Sequence, residues 1–253
     1  DIADPQVELS PDDLAAIILK ALQQSNSQLQ DGDVLVLAQK IVSKAEDRLV
    51  NLTTIRPSPA ALELAEKTGK DPRVAELILQ ESNTVLRTRP GSAIVEHKLG
   101  FVCASAGIDH SNVTAHPAAA DTNAEEGVLL LPRDPDKSAA EIRARLEAAS
   151  GAKIGVLIID SHGRAWRIGT VGVAIGLSGV PGVLDERGWR DLTGYTLQIT
   201  VVGVADELAA AASLVMGQAA EGTPVVHVRG FPYPLREGSL KEILRPKEQD
   251  MFR

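Results

Sequence analysis

SAIVEHKLGFVCASAGIDHSN, residues 92–112, is the stretch on which the fold class turns. Two apolar, strand-like runs meet at Leu99 and Gly100, and the second runs out into an acid and an asparagine, the pattern of a hairpin. Elsewhere strands and helices mix without a strict βαβ rhythm. The hairpin therefore tips the reading to α+β, with mixed sheets and helices, over a doubly wound parallel sheet. Cys103, the one cysteine, lies inside the second run. A buried, inert thiol is expected there, and the lack of a second cysteine rules out an internal disulfide and agrees with a reducing compartment.

Upstream, SPDDLAAIILKAL (10–22) reads as a helix with Ser10 as N-cap, Pro11 at its first position and two acids in its first turn. In DGDVLVLAQKIVSKAEDRLVNL (31–52), Gly32 breaks the chain, Val34 to Leu37 form a buried strand, and Lys40 and Lys44 follow its carboxyl end. ALELAEKTG (61–69) and DPRVAELILQES (71–82) read as short helices, one stopped by Gly69, the other started by Asp71 and Pro72. Downstream, TAHPAAADTNAEEG (114–127) is small, polar and Pro-containing, a surface loop. SAAEIRARLEAASG (138–151) sets Ser138 and Glu141 at capping-box spacing and stops at Gly151, and KIGVLIID (153–160) is a buried strand. Asp206 is expected to cap a helix over ELAAAASLVMGQAAEG (207–222) that ends near Gly217, before a last strand in PVVHVRG (224–230). No linker rich in Gly, Ser or Pro divides the chain. Residues 1–253 are expected to form one domain, or two closely joined ones.

Hydrophobic residues make up 44% and aromatics only 3%, so Ala, Val, Leu and Ile must fill the core. The net charge of -8 argues against an extended surface for nucleic acid or anionic membrane. A polyphosphate ligand would then call for metal cations to hold it. No apolar run approaches a membrane span, and DIADPQVELS lacks the layout of a signal peptide, so a cytoplasmic protein is expected.

Three strand ends gather polar groups: Gln39, Lys40, Ser43 and Lys44 after the first, Asp109 and Asn112 after the hairpin, Asp160 and Ser161 after KIGVLIID. Carboxylates and hydroxyls are hard oxygen ligands for Mg²⁺ or Mn²⁺, and lysines at a neighbouring strand end suit phosphate charge. Taken singly, each acid is equally a helix cap or turn former. Only convergence in space makes a site. In GRAWR (163–167), Arg164 and Arg167 suit phosphate or a substrate carboxylate, or surface salt bridges; Trp166 suits stacking on a ring, or core filling. Glycines 169, 172, 176, 179 and 182 admit a ligand close to the backbone, or serve tight turns and close packing. There is no P-loop and no Rossmann fingerprint, no H-E-x-x-H or C-x-x-C for zinc, and no G-x-S-x-G.

In order and wording these segments resemble the F420-0:gamma-glutamyl ligase family. The resemblance rests on GDVLVLAQKIVSKAEDR, AGIDHSN, IIDSHGRAWRIGTVGVAIGLSG, VADELAAAASLVMGQAAEGTPVVHVRG, EGSLKEILRP and the closing DMFR. It implies an α+β homodimer that binds GTP and two divalent cations, Mg²⁺ or Mn²⁺, in a groove and adds L-glutamate to the deazaflavin coenzyme F420 precursor through an acyl phosphate. Carried over by motif, Asp109, Asp160, Ser161 and Gln218 would be metal ligands. Gln39, Lys40, Lys44, Asn112 and the segment Met216, Gly217, Gln218, Ala219, Ala220, Glu221, Gly222, Thr223 would contact GTP. No residue is singled out as general base. Asp47 stands where the family usually has glycine, and TAHPAAADTNAE (114–125) looks like an insertion. Two other readings stay open from the residues alone: a non-catalytic nucleotide-binding module of a larger enzyme, and a metal-dependent phosphohydrolase.

Overall fold

A computed structural model describes residues 11–110 and 127–251. Ser10, Asn112 and the 114–125 segment lie outside the described residues. In chain order the elements are α1 (Pro11–Gln24), β1 (Val34–Ala38), α2 (Gln39–Ala45), β2 (Leu49–Asn51), α3 (Pro59–Thr68), α4 (Pro72–Gln80), β3 (Ser82–Arg89), β4 (Ser92–His97) and β5 (Val102–Ala104). They continue as β6 (Gly127–Leu129), α5 (Pro135–Ser150), β7 (Gly155–Gly163), β8 (Thr170–Ser178), β9 (Leu184–Asp185), β10 (Val201–Val202), α6 (Val204–Met216), β11 (Val225–Val228) and α7 (Leu240–Ile243).

The main sheet has the order β11-β1-β7-β8, with β1 parallel to β7 and both outer pairs antiparallel. Its two inner strands are closed off from solvent, Val34 to Leu37 and Val156 to Ile158 all at 0% exposure, so each is a continuous apolar run without alternation. A second sheet, β3-β4-β5, is antiparallel and contains the expected hairpin, with Gly100 (φ 98°) at its turn. Helices α3 and α4 pack on β3. Buried side chains of both sheets join one apolar cluster, which takes in Val95 and Cys103 of the hairpin as well as Leu157 and Ile158 of the main sheet. The mixed α+β architecture expected from the sequence is what the chain adopts.

Three local expectations need correction. Helix α5 starts at Pro135, capped by Asp134, whose side chain accepts from the Lys137 amide at 3.1 Å; Ser138 lies inside the first turn and donates to Glu46 Oε1 instead. Helix α6 starts at Val204 with Gly203 at its N-cap, and Asp206 reaches sideways to accept from Ala174 N at 2.9 Å. Glycines 172 and 176 belong to strand β8, where they give the helices a flat surface. A Cβ on Gly172 would stand 2.6 Å from Ala209 O and from Ser213 Cβ of α6, and one on Gly176 would stand 2.3 to 2.6 Å from Pro135 of α5. Close helix packing, rather than ligand approach, explains these two glycines. Gly176→Ala is therefore expected to destabilise by about 1–3 kcal/mol, through overpacking against backbone that cannot yield, read as a lower thermal midpoint.

Asp206 and Asp136 share one task. β8 is an edge strand, and its outward amides at Ala174 and Leu177 find these two carboxylates at 2.9 Å each, which closes the edge to further pairing. Asp136 also accepts from Leu240 N and so anchors α7. Asp47 adopts φ 52° in the turn after α2. An aspartate tolerates that left-handed conformation, so the turn keeps a geometry glycine would favour without needing the glycine.

Candidate active site

The parallel register of β1 and β7 sets Ala38 opposite Ile159. Gln39 and Asp160 therefore leave the sheet side by side, at the carboxyl ends of adjacent parallel strands, where open α/β sheets form ligand crevices. Strand β11 runs the other way, with Val225 opposite Leu37 and Pro224 O accepting from Ala38 N at 2.9 Å, so the loop from α6 to β11 falls at the same end. The result is a groove of about 450 Å³. Gln39, Lys40 and Lys44 line it from α2, Asp160 and Ser161 from β7, and Met216 through Thr223 from α6 and its loop.

Asp109 approaches from the second sheet's side. A reciprocal pair of backbone bonds with Leu129 holds it, and its Oδ2 accepts from Gln39 Nε2 at 3.0 Å and lies 3.4 Å from Lys40 Nζ. Ser161 Oγ donates to Gln218 Oε1 at 2.7 Å, and Gln218 Nε2 donates to Ser213 Oγ at 3.2 Å. The loop shapes itself internally: Thr223 Oγ1 donates to Met216 O, and Glu221 accepts from Ala219 N. Arg164 and Arg167 stand outside the groove lining, on the β7–β8 connection, where Arg164 donates to Ile168 O at 3.3 Å. Trp166 between them is 90% exposed with φ 64°, so it fills no core.

Sequence reasoning does not single out Ser213, and it takes His162, two residues after Asp160, for a solvated turn residue, whereas the structure places it in β7 with its side chain 10% exposed. Ser213 lies one turn before Gly217 on an Ala-rich helix, with no local signal to mark it. His162 shares a strand face with Asp160, as residues two apart do, and its Nε2 lies 3.0 Å from Asp160 Oδ2. Phe101 packs on the His162 ring at 5.3 Å and stacks on His97 at 5.2 Å, tying the second sheet to the Asp160 strand. Burial pulls the His97 imidazole down to about 4, and its Nδ1 accepts from Leu99 N at 3.0 Å as a neutral ring does. Burial and the nearby Asp160 charge push the Cys103 thiol up to about 12, so it is inert as a nucleophile.

Burial pushes the Asp109 carboxyl above its ordinary range; Lys40 opposes the shift and Asp160 adds to it. Two carboxylates, a hydroxyl and an amide oxygen, all hard oxygen donors, form a set that suits a small hard cation. Among the described residues no three His, Cys, Asp or Glu side chains converge on a metal position. A cation here would thus rest on few protein oxygens, the manner in which Mg²⁺ is held when phosphate completes its shell.

Comparison with known proteins adds an independent line. A coenzyme F420:L-glutamate ligase of Methanothermobacter thermautotrophicus is 49% identical over 245 residues, spanning 96% of this chain and 93% of the relative. The enzyme of that name from Methanopyrus kandleri is 49% identical over 246 residues, 96% and 92% of the two chains, and that from Archaeoglobus fulgidus is 44% identical over 243 residues, 96% and 90%. A family model described as F420-0:gamma-glutamyl ligase matches residues 5–230. The chain belongs to the F420-0:gamma-glutamyl ligase family.

Proposed function

We propose that this chain is a GTP-dependent ligase that joins the amine of L-glutamate to a carboxylate of the deazaflavin coenzyme F420 precursor by an amide bond, first at the lactyl carboxylate and later through a γ-carboxylate. The observation that carries this reading is the convergence of α2, the end of β7 and the 216–223 segment on one groove of about 450 Å³, in a chain whose named relatives are glutamate ligases. Amide formation in water needs an activated carboxylate. An oxygen of the acceptor carboxylate attacks the γ-phosphorus, GDP leaves, and the resulting acyl phosphate is attacked at carbon by the glutamate amine, which expels phosphate.

Lys40 and Lys44, which line the groove, would meet phosphate charge, and the 216–223 segment, which lines it too, would lie along the nucleotide. Asp109, Asp160, Ser161 and Gln218 would hold two Mg²⁺ or Mn²⁺ ions, which supply charge neutralisation to the transferring phosphoryl group. Arg164 and Arg167, on the connection that follows Ser161, reach for the acceptor's phosphate or carboxylates. Association as a homodimer is supported by apolar side chains left bare on this chain, Leu192, Ile199, Leu214 and Val215 among them. No helix among the described residues is long and apolar enough to cross a membrane.

The test is incubation with GTP, Mn²⁺, glutamate and the deazaflavin acceptor, followed by mass analysis of the acceptor. The expected result is a gain of one or more glutamyl residues with one GDP formed per residue added. Phosphate release that needs no glutamate would instead identify a phosphohydrolase, and GTP binding with no GDP formed a non-catalytic module.

A further inference from the structure

We infer that Gln39, locked by Ser43, is a positioning residue for the Asp109 carboxylate and does not read the nucleotide with its side chain. This rests on the proposed metal-assisted ligase reading of the groove. Gln39 and Ser43 are one turn apart on α2 and therefore share a helix face. Gln39 is 2% exposed and Ser43 0%, so both side chains are sealed from solvent although Gln39 sits at the groove wall. The Ser43 hydroxyl donates to Gln39 Oε1 at 2.8 Å.

The Asp109 carboxylate, which only accepts, settles the orientation of the amide. The two ends of a glutamine side chain are nearly the same shape but opposite in hydrogen-bonding character, and only the NH₂ end is attracted to a carboxylate. Nε2 is therefore the end turned toward Asp109, donating to Oδ2 at 3.0 Å, and Oε1 is left to accept from the Ser43 hydroxyl, which holds the amide in that plane. Lys40 Nζ approaches the same oxygen at 3.4 Å. Oδ2 is thus gripped from α2 by two donors, which fixes the plane of the carboxylate. A hydrogen-bonded partner behind a ligating carboxylate is the usual means of orienting it toward a cation. One N–H and one lone pair of the amide are committed to protein, and with Gln39 only 2% exposed the remaining ones have little access to a guanine or a ribose.

The experiment uses the full chain and three readouts: Mn²⁺ affinity by electron paramagnetic resonance without nucleotide, GTP affinity without metal by equilibrium dialysis, and thermal midpoint. Gln39→Met keeps the length and loses the amide; it is expected to weaken Mn²⁺ binding by about 10- to 100-fold and leave metal-free GTP affinity within about twofold. Ser43→Ala, a milder change should Gln39→Met fold poorly, is expected to weaken Mn²⁺ binding in the same direction by less. A lower thermal midpoint with Mn²⁺ affinity unchanged would reduce the pair to packing and overturn the inference. A drop in metal-free GTP affinity with Mn²⁺ unaffected would overturn it in favour of a nucleotide contact. If the wild-type protein fails to ligate glutamate yet the variants lose Mn²⁺ affinity as stated, the ligase reading falls and the positioning role stands.

Discussion

Asp109→Asn is expected to lower the rate of GTP-driven glutamate ligation by about 10²- to 10³-fold, the scale on which removal of one charge-stabilising group acts in an enzyme site. The substitution keeps the side chain's shape and removes only its charge. It is also expected to raise the thermal midpoint of the metal-free protein, and the sign follows from the environment. Burial and the neighbouring Asp160 hold the wild-type carboxyl above its ordinary range, so at neutral pH the folded state carries a charge it disfavours relative to the unfolded chain. Below the unfolded carboxyl's range both states are protonated, and the gain from asparagine should vanish. A group kept at a cost to stability is what a catalytic site predicts. Ligation at near-wild-type rate in the variant would remove Asp109 from the site, whatever its midpoint. The measurements are steady-state ligation with Mn²⁺ and thermal unfolding with chelator across pH.

How much of this site the sequence discloses depends on the range of the forces involved. β1 and β7 are legible because they are buried on both faces and so read as unbroken apolar runs. Helix ends are legible where the cap is local: Asp71 accepts from Arg73 N at 2.7 Å, and Gly69 and Gly151 turn left-handed at the ends of α3 and α5. The same logic misleads at Asp206 and Ser138, whose side chains answer to partners 32 and 92 residues away. Strand β8 hides because Gly172 and Gly176 interrupt its pattern for the sake of helices placed against it only in the folded chain. β3 hides because SNTVLRTR is largely exposed and polar, with no inward face to set a period. The strand-end clusters could be named one by one from the sequence, and the resemblance gave them an order. The meeting of the α2 and β7 clusters in one groove depends on the parallel register of β1 and β7, a contact more than a hundred residues long in sequence, which no local pattern encodes.

At the other end of the sheet Asp33 pins β1 to β11, and Asp33→Ala is expected to cost about 1–3 kcal/mol. Asp33 precedes β1 and its side chain is 2% exposed. It accepts from Gln30 N at 2.8 Å, from Arg229 through Nε at 2.9 Å and Nη2 at 2.8 Å, and pairs with His227 Nε2 at 2.8 Å. His227 lies in β11 and Arg229 just beyond it, so one carboxylate ties the start of β1 to the end of β11. Burial alone would raise its carboxyl, but the bonds from Arg229 and His227 outweigh burial and bring it down to about 2. A carboxyl lowered on folding contributes stability that is complete above its unfolded value of 3.8 and is lost as pH falls toward about 2. The difference in stability between wild type and Asp33→Ala should therefore be flat around neutral pH and shrink only in that acid window. At neutral pH the thermal midpoint should fall by roughly 5 °C for a chain of this size. Asp33→Asn keeps an acceptor for one donor and should lose less. Because the groove sits at the opposite end of β1 and β11, the folded fraction of either variant should keep whatever GTP affinity the wild type shows under the proposed function. A variant that unfolds at the wild-type temperature would show that the buried cluster adds nothing net to the sheet; one that stays folded but loses GTP would show that the strand ends communicate, against the rigid-sheet geometry that places the site.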